Sequence, residues 1–410
     1  MQRAASAACA LLGVAIASTS GCSKSEGPGF GPSQSDGGFE TDGGASDAFA
    51  GCATGTYAGK QSPAAMLFVL DGGGSMAQNG KYATAQQALV RTMDFDAFDT
   101  MYLGLLLFPT TKLAIPAGKG DQTCQAIAAL GTQVTCGVPF APQEPLGLAG
   151  TDKSNAGSGV RRRMYDKLVA SAPSPGSGDG KPSYDALSAA IGALQSLTLD
   201  GKRIVFFITD GGASCTTFSN RANYPDTNGC PDWEDPTNLV TLLKGAHDDA
   251  QKPVNTIVVG VPGANTTGSN PATEPPYHVK NALSAMAFAG SPETVDAACD
   301  GKAYSKAGGD PAKPCHFDMS GTFTAQALQD AIGTIRGALL GCVFDLPTPD
   351  RGTVDRGKVN VQYDTGSGTQ ALKKRSAATD GCASDGCWDY TSDGRVELVG
   401  KACADVKASA

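Results

Sequence analysis

Few of the residues that carry enzymatic or nucleic-acid-binding chemistry occur in this sequence. Only three of its 410 residues are histidines, and no grouping of Ser, His and Asp of the kind used by hydrolases emerges. Charged residues make up 18% of the chain and the formal net charge is -8, which argues against a nucleic-acid partner and against a basic membrane-binding surface. These absences weaken an enzymatic role but do not identify another one.

The sequence also lacks a Cys-x-x-Cys pair, which weakens a zinc or thioredoxin-like redox site. Beyond the N-terminus, no apolar run approaches the roughly 20 residues of a membrane-spanning helix. Thirteen cysteines are nevertheless present, a number that is high for a cytosolic protein and ordinary for an exported one. The cysteines therefore predict disulfide bonds in an oxidising compartment.

The first 21 residues predict a secretory signal peptide. Arg3 precedes an apolar run centred on residues 11–17, and small residues then lead to Cys22. A cysteine directly after Ser20-Gly21 resembles a bacterial lipobox, in which Cys22 is acylated and becomes the mature N-terminus; the alternative is cleavage by ordinary signal peptidase nearby. We expect an exported lipoprotein of the cell envelope, anchored to the outer membrane only through acyl chains and facing either the periplasm or the surface.

Composition divides the remaining chain into three parts. Residues 22–61 are rich in Gly, Ser and Asp and predict a flexible tether. Residues 62–341 alternate apolar strands with amphipathic helices, apart from a Gly-, Pro- and Ser-rich insert at about 124–180 that contains one short helical stretch, 160–170. Residues 342–410 predict a small cysteine-clipped β module with a hairpin around an Asp-Gly turn.

The central part has the pattern of a covered parallel sheet. Near-continuous apolar runs at 65–70, 101–108, 203–209 and 254–261 are typical of strands buried on both faces. Helices with apolar residues at 3.6-residue spacing lie between these runs. The predicted fold class is α/β, with a doubly wound, mostly parallel sheet of the Rossmann type.

A glycine-rich loop follows the first of these strands, in "LFVLDGGGSM" (67–76). It fits the G-x-G-x-x-A pattern of dinucleotide-binding loops, but Asp71 would repel a pyrophosphate and the second strand ends in "LLLFPTTK" without an acidic residue for a ribose. The stretch "DGKPS" around Lys181 lacks the first glycine of a P-loop and no strand precedes it. Neither phosphate-binding interpretation is favoured.

The acidic residues at the strand ends point to another kind of loop. Asp71 ends the first strand with Ser75 four residues later, and "FITDGG" places Asp210 at the end of a later strand. This arrangement resembles the von Willebrand factor type A (vWA) domain over residues 62–341. In that family the D-x-S-x-S loop and the T-D-G turn hold Mg²⁺ or Mn²⁺ in a metal-ion-dependent adhesion site, where an acidic group of the partner completes the coordination. The resemblance implies an adhesion or binding protein whose partner is another protein or a surface polymer. The alternatives are an exported metal-dependent hydrolase and a purely structural envelope component.

Two departures make this adhesion site degenerate. Gly73 stands where the loop has its first serine, and Lys181 stands where the family has a threonine; Ser183 or Asp179 are candidate substitutes. Two interpretations stay open. Either the site binds Mg²⁺ or Mn²⁺ weakly, or it is free of metal and the Lys181 ammonium stabilises the two aspartates as a cation would.

Cysteine spacing suggests four loop-closing pairs, each a hypothesis because pairing cannot be deduced from sequence. They are Cys124 with Cys136, Cys215 with Cys230, Cys299 with Cys315, and Cys52 with Cys342, which leaves Cys382, Cys387 and Cys403.

Overall fold

A computed structural model describes most of the chain. The described residues are 13–18, 56–58, 60–61, 63–114, 133–139, 141–174, 181–213, 234–268, 277–339, 342–346, 354–364, 369–392 and 394–409. The chain forms two compact units: Pro63–Gly341 is one, and Met1–Ser62 with Cys342–Ala410 is the other. Within the described ranges, no helix has the length and apolar character needed to cross a membrane.

Strands and helices are numbered along the chain. The strands are β1 (Gly13–Ser18), β2 (Thr56–Ala58), β3 (Lys60–Gln61), β4 (Ala65–Asp71), β5 (Tyr102–Phe108), β6 (Thr111–Ala114), β7 (Gln133–Gly137), β8 (Glu144–Leu148), β9 (Arg203–Thr209), β10 (Val254–Gly260), β11 (Thr267–Gly268), β12 (Tyr277–His278), β13 (Phe317–Asp318), β14 (Val343–Asp345), β15 (Val359–Asp364), β16 (Thr369–Leu372), β17 (Cys387–Tyr390) and β18 (Val396–Val399). The α-helices are α1 (Lys81–Thr92), α2 (Val160–Ala170), α3 (Ser183–Ser196), α4 (Pro236–His247), α5 (Val279–Gly290), α6 (Ala325–Leu339) and α7 (Lys401–Ser409).

A six-stranded sheet forms the centre of the larger unit. Its strand order is β13-β10-β9-β4-β5-β8, and all neighbours pair in parallel except β5 and β8. Counted within this unit, the order is 3-2-1-4-5-6, the Rossmann order, with its reversal between β4 and β9. The structure is therefore a mixed α/β unit with a mostly parallel sheet, as the apolar runs predict.

Apolar side chains on the two faces of the sheet form separate layers of core, because successive residues of a strand point to opposite faces. On β4, Met66, Phe68 and Leu70 pack with residues of α1, α2 and α6. The alternate residues Leu67 and Val69 pack with residues of α3, α4 and α5. Helices on both faces explain why the strands are apolar throughout rather than alternating.

The insert contributes more to the sheet than its composition predicts. Its helix α2 has the expected bounds, but β8 adds an antiparallel edge strand to β5, which the sequence analysis misses. Arg161 at the start of α2 is completely buried and donates to backbone carbonyls, including that of Met93, and to the Asp99 carboxylate. These bonds hold the insert against the end of α1.

The smaller unit contains two four-stranded sheets, β16-β15-β1-β2 and β17-β18-β14-β3. The antiparallel pair β17 and β18 is the hairpin predicted around the Asp-Gly turn. The short strands β2 and β3 lie in the stretch that the sequence analysis predicts to be a tether. They form because their backbones pair with β1 and β14. Strand β1 lies inside the predicted signal peptide. In the full-length chain it pairs along the whole of β15. The signal peptide itself stays a prediction.

The described disulfides correct one expected pairing. Cys299 pairs with Cys315, whereas Cys342 pairs with Cys403 and not with Cys52, and Cys382 pairs with Cys387. Cys342 directly precedes β14 and Cys403 lies on α7. These two elements bring the cysteines together within the smaller unit, although 61 residues separate them. Five cysteines with expected roles lie outside the described residues: Cys22, Cys52, Cys124, Cys215 and Cys230. Cys136, the expected partner of Cys124, lies on β7.

Candidate functional site

The two aspartates predicted as metal ligands lie side by side. Asp71 ends β4 and Asp210 directly follows β9, and these neighbouring parallel strands flank the point where the strand order reverses. Asp71 is 0% exposed and Asp210 is 2% exposed. The carboxyl edge of a doubly wound sheet, at this reversal, is where such folds bind their ligands.

Asp71 is satisfied by neutral donors. Its Oδ1 accepts from the Gly73 N–H at 2.7 Å, and its Oδ2 accepts from the Thr209 hydroxyl at 2.6 Å. Complete burial raises the pKa of Asp71 above its ordinary value, against the lowering effect of Lys181 and with a further increase caused by Asp210. Asp71 is thus the less readily ionised of the two carboxyl groups.

Asp210 is held by two ammonium groups. Lys81 Nζ donates to its Oδ2 and Lys181 Nζ donates to its Oδ1, which also accepts from the Ser75 hydroxyl at 2.9 Å. Burial by itself would raise the pKa of Asp210, but the ion pairs and hydrogen bonds with Lys181 and Lys81 outweigh it and lower the pKa. Lys181 Nζ also lies 3.8 Å from Asp71 Oδ2. We call Asp71, Ser75, Lys81, Lys181 and Asp210 the charge cluster.

Lys81 is the member of the charge cluster that the sequence analysis misses. It is the first residue of α1, it is buried, and its Nζ also donates to the Pro262 carbonyl at 3.0 Å. A lysine in the first turn of a helix opposes the helix dipole, so a compensating carboxylate is expected nearby. That unfavourable position, ten residues after Asp71, is the signal that could have identified it.

Two glycines, Gly73 and Gly211, leave space for the Lys181 side chain. A Cβ placed on Gly73 would lie 3.0 Å from Lys181 Cγ, and one placed on Gly211 would lie 2.6 Å from its Nζ. Both glycines therefore border the space that the lysine side chain fills.

Ser183 does not join the charge cluster. It is buried at the start of α3, and its hydroxyl donates to the Lys181 carbonyl at 3.4 Å. The other candidate substitute, Asp179, lies outside the described residues. Glu234, whose carboxylate accepts from the Tyr184 N–H at 3.0 Å, helps to hold the start of α3, and the sequence analysis misses this contact. Among the described residues, no group of three or more His, Cys, Asp or Glu is placed to hold a metal ion.

The histidines lie away from the charge cluster. His247 is on α4 and contacts the carboxylates of Asp248 and Glu293 at the surface. His316 is buried next to β13, and neither of its ring nitrogens has a hydrogen-bond partner among the described residues.

An exposed rim borders the charge cluster. It consists of residues 77–80, just before α1, and residues 265–266, after β10. The bond from Lys81 to the Pro262 carbonyl joins the two loops. Residues 124–132 and 175–180 of the insert, and residues 214–233 that follow β9, lie outside the described ranges.

No protein-family model and no curated protein matches this sequence. Solved structures are similar to it in part. The pilus adhesin SpaC from Lactobacillus rhamnosus GG shares 13% identity at a TM-score of 0.40, and the match covers 77% of this chain but only 38% of the adhesin. BatB, a conserved hypothetical protein from Bacteroides thetaiotaomicron, shares 17% identity at a TM-score of 0.31 over 55% of this chain and 86% of BatB. A mutant of the PilB minor pilin from Streptococcus sanguinis shares 12% identity at a TM-score of 0.38, over 68% of this chain and 61% of the pilin.

Proposed function

We propose that this protein is an exported, lipid-anchored binding module of the vWA type, which recognises another protein or a surface polymer through the rim beside the charge cluster. The observation that supports the proposal is the position of Asp71 and Asp210 at the strand-order reversal. Exposed loops at this edge are free to vary for recognition, while the sheet below holds them in place.

The chemistry of the charge cluster favours binding over hydrolysis. Asp210 is committed to two lysines and its pKa is lowered, so it is a poor general base near neutral pH. Asp71 is completely buried and accepts from the Gly73 amide and the Thr209 hydroxyl, which leaves it without contact to solvent. Neither aspartate is placed to activate a water molecule for an external substrate.

A matched pair of substitutions tests the proposed binding surface. Gln78 is exposed on the rim, and Gln251 is exposed beside the amino end of β10, at the opposite edge of the sheet. Gln78→Arg should weaken the capture of a partner from envelope fractions at least tenfold, whereas Gln251→Arg should leave capture unchanged. Equal capture by both variants would favour the purely structural alternative.

An activity screen separates the binding module from the hydrolase. We expect no turnover across a general panel of hydrolase substrates, with or without added Mg²⁺ or Mn²⁺. Turnover by the wild-type chain that Asp210→Ala abolishes would contradict the proposal, because Asp210 belongs to the charge cluster.

Acylation at Cys22 has its own test. Metabolic labelling with a radioactive fatty acid should label the wild-type protein and not the Cys22→Ser variant. Release of an unlabelled, soluble wild-type protein would instead indicate cleavage by ordinary signal peptidase.

A further inference from the structure

The vWA resemblance implies a divalent cation at the carboxyl edge of the sheet, but the residues present do not fit one. We infer that the ammonium groups of Lys81 and Lys181 take the place of that cation as permanent, built-in counter-charges. Two ammonium groups carry the same total charge as one Mg²⁺ or Mn²⁺. The substitution therefore preserves the charge balance of the site while removing its dependence on metal.

Each of the two lysines contacts a different oxygen of Asp210. Lys81 binds one carboxylate oxygen of Asp210 and Lys181 binds the other. Lys181 also lies within 3.8 Å of Asp71, so its ammonium stands between the two aspartates. Both oxygens of Asp210 are thus directed at side-chain ammonium groups.

Burial makes such counter-charges necessary. Both aspartates and both lysines are shielded from solvent, and an uncompensated buried charge is strongly destabilising. A metal ion bound weakly from solution would leave the carboxylates exposed to this penalty whenever it dissociated. Lysines supplied by the chain itself hold the site together at any metal concentration.

The absence of a serine hydroxyl at Gly73 and the presence of the Lys181 ammonium are sterically linked. A serine at position 73 would place its Cβ 3.0 Å from Lys181 Cγ and 3.1 Å from Lys181 Cε, tighter than ordinary contact. Gly211 likewise leaves space for Lys181 Nζ, which would lie 2.6 Å from a Cβ at that position. Gly73 therefore does more than remove a metal ligand, because it accommodates the stem of the lysine that replaces the metal.

The second lysine depends on the turn after β10. Gly263 has φ of +114°, a conformation that favours glycine, and a Cβ there would collide with the Asp210 carbonyl. This close approach brings the Pro262 carbonyl to Lys81, which donates to it at 3.0 Å. Lys81 Nζ thus donates to two acceptors, Asp210 Oδ2 and the Pro262 carbonyl.

Mn²⁺ titration of the full chain, followed by calorimetry and by electron paramagnetic resonance, tests the inference without any partner. The wild-type chain should bind no Mn²⁺ at millimolar concentration. The double variant Lys81→Ala/Lys181→Thr keeps Asp71, Ser75 and Asp210 as oxygen ligands, and its Mn²⁺ affinity should rise at least tenfold above that of the wild type. The control Lys167→Thr/Lys202→Ala removes two exposed lysines and should behave like the wild type.

Two results would overturn the inference. The first is Mn²⁺ binding by the wild-type chain that Asp210→Asn abolishes. The second is a double variant that folds and still binds no Mn²⁺. If the double variant does not fold, the single variant Lys181→Thr decides by thermal unfolding: a lowered Tm that Mn²⁺ restores supports the inference, and an unchanged Tm contradicts it.

Discussion

Acidification should destabilise the larger unit through His316 in particular. This imidazole is 4% exposed, packs against Gly260, and has no hydrogen-bond partner at either ring nitrogen among the described residues. Burial lowers the pKa of His316 to about 4, against the raising effect of Asp318 on β13 and with a further lowering by Lys280 on α5. Neither β10 nor the turn at 261–264 presents a charged side chain to the ring.

The pKa difference gives the expected size of the effect. An unfolded histidine titrates near pH 6.5, so between about pH 6.5 and about pH 4 the unfolded chain binds a proton that the folded chain does not. The contribution of His316 is therefore fully present above the unfolded pKa and is lost as the pH falls toward the folded pKa. At about pH 4.5 the loss relative to about pH 7.5 amounts to about 2–3 kcal/mol.

Urea unfolding at the two pH values measures this loss, with native-state hydrogen exchange of the β10 amides reporting the larger unit by itself. His316→Met replaces the imidazole by an apolar chain of similar volume and should lose about 2–3 kcal/mol less than the wild type on acidification. The control His278→Met removes an imidazole that is 45% exposed and should keep the wild-type loss. Carboxyl groups titrate in all three chains, so their contribution cancels when the losses of stability on acidification are compared. Equal losses in the wild type and His316→Met would refute the reasoning.

Two further matched pairs test the packing. Arg161→Met should destabilise the larger unit by at least about 2 kcal/mol in urea unfolding, because it removes a donor from four backbone carbonyls, that of buried Met93 included, and from the Asp99 carboxylate, which keeps Lys153. Arg162→Met on the surface should cost less than about 1 kcal/mol. Similar costs for the two arginine variants would contradict this account. Gly201→Ala should lower stability by at least about 2 kcal/mol because its Cβ would overlap the Pro63 carbonyl, whereas Gly192→Ala, in open space on α3, should raise stability by about 0.5–1 kcal/mol. A tolerated Gly201→Ala would show that the chain beside β4 relaxes freely.

The main strands of the sheet could be predicted because their signal is local. A run such as 65–70 is apolar at every position, and only a strand covered on both faces buries all of those side chains. Strand β8 was not predicted because Glu144–Leu148 is short and contains Pro145 and Gly147, residue types that are rare in strands other than those at an edge or a bulge. Strands β2 and β3 were also not predicted, because their few residues become strands only through pairing with distant segments.

The candidate site was predictable as far as strand ends determine position. Asp71 and Asp210 had to meet at one edge once β4 and β9 were recognised as parallel strands, and a Lys181 ammonium beside them was one of the two interpretations left open. Lys81 was missed because it begins a helix, and strand direction does not place the side chain of a helical residue at the edge of the sheet. The pairing of Cys342 with Cys403 was missed because spacing along the chain does not determine which of several cysteines meet.

By itself, the sequence determined the α/β class, the four main parallel strands, and the acidic residues at their carboxyl ends. These features follow from hydrophobic periodicity and strand direction, which are properties of short segments. The tertiary structure alone decided that Lys81 joins Lys181 at Asp210. Which charges meet is determined by distance in the folded chain. The start of α1, the turn after β10 and the small volumes of Gly73 and Gly211 together place both lysines at a site for which the sequence left a bound metal ion and a metal-free arrangement open.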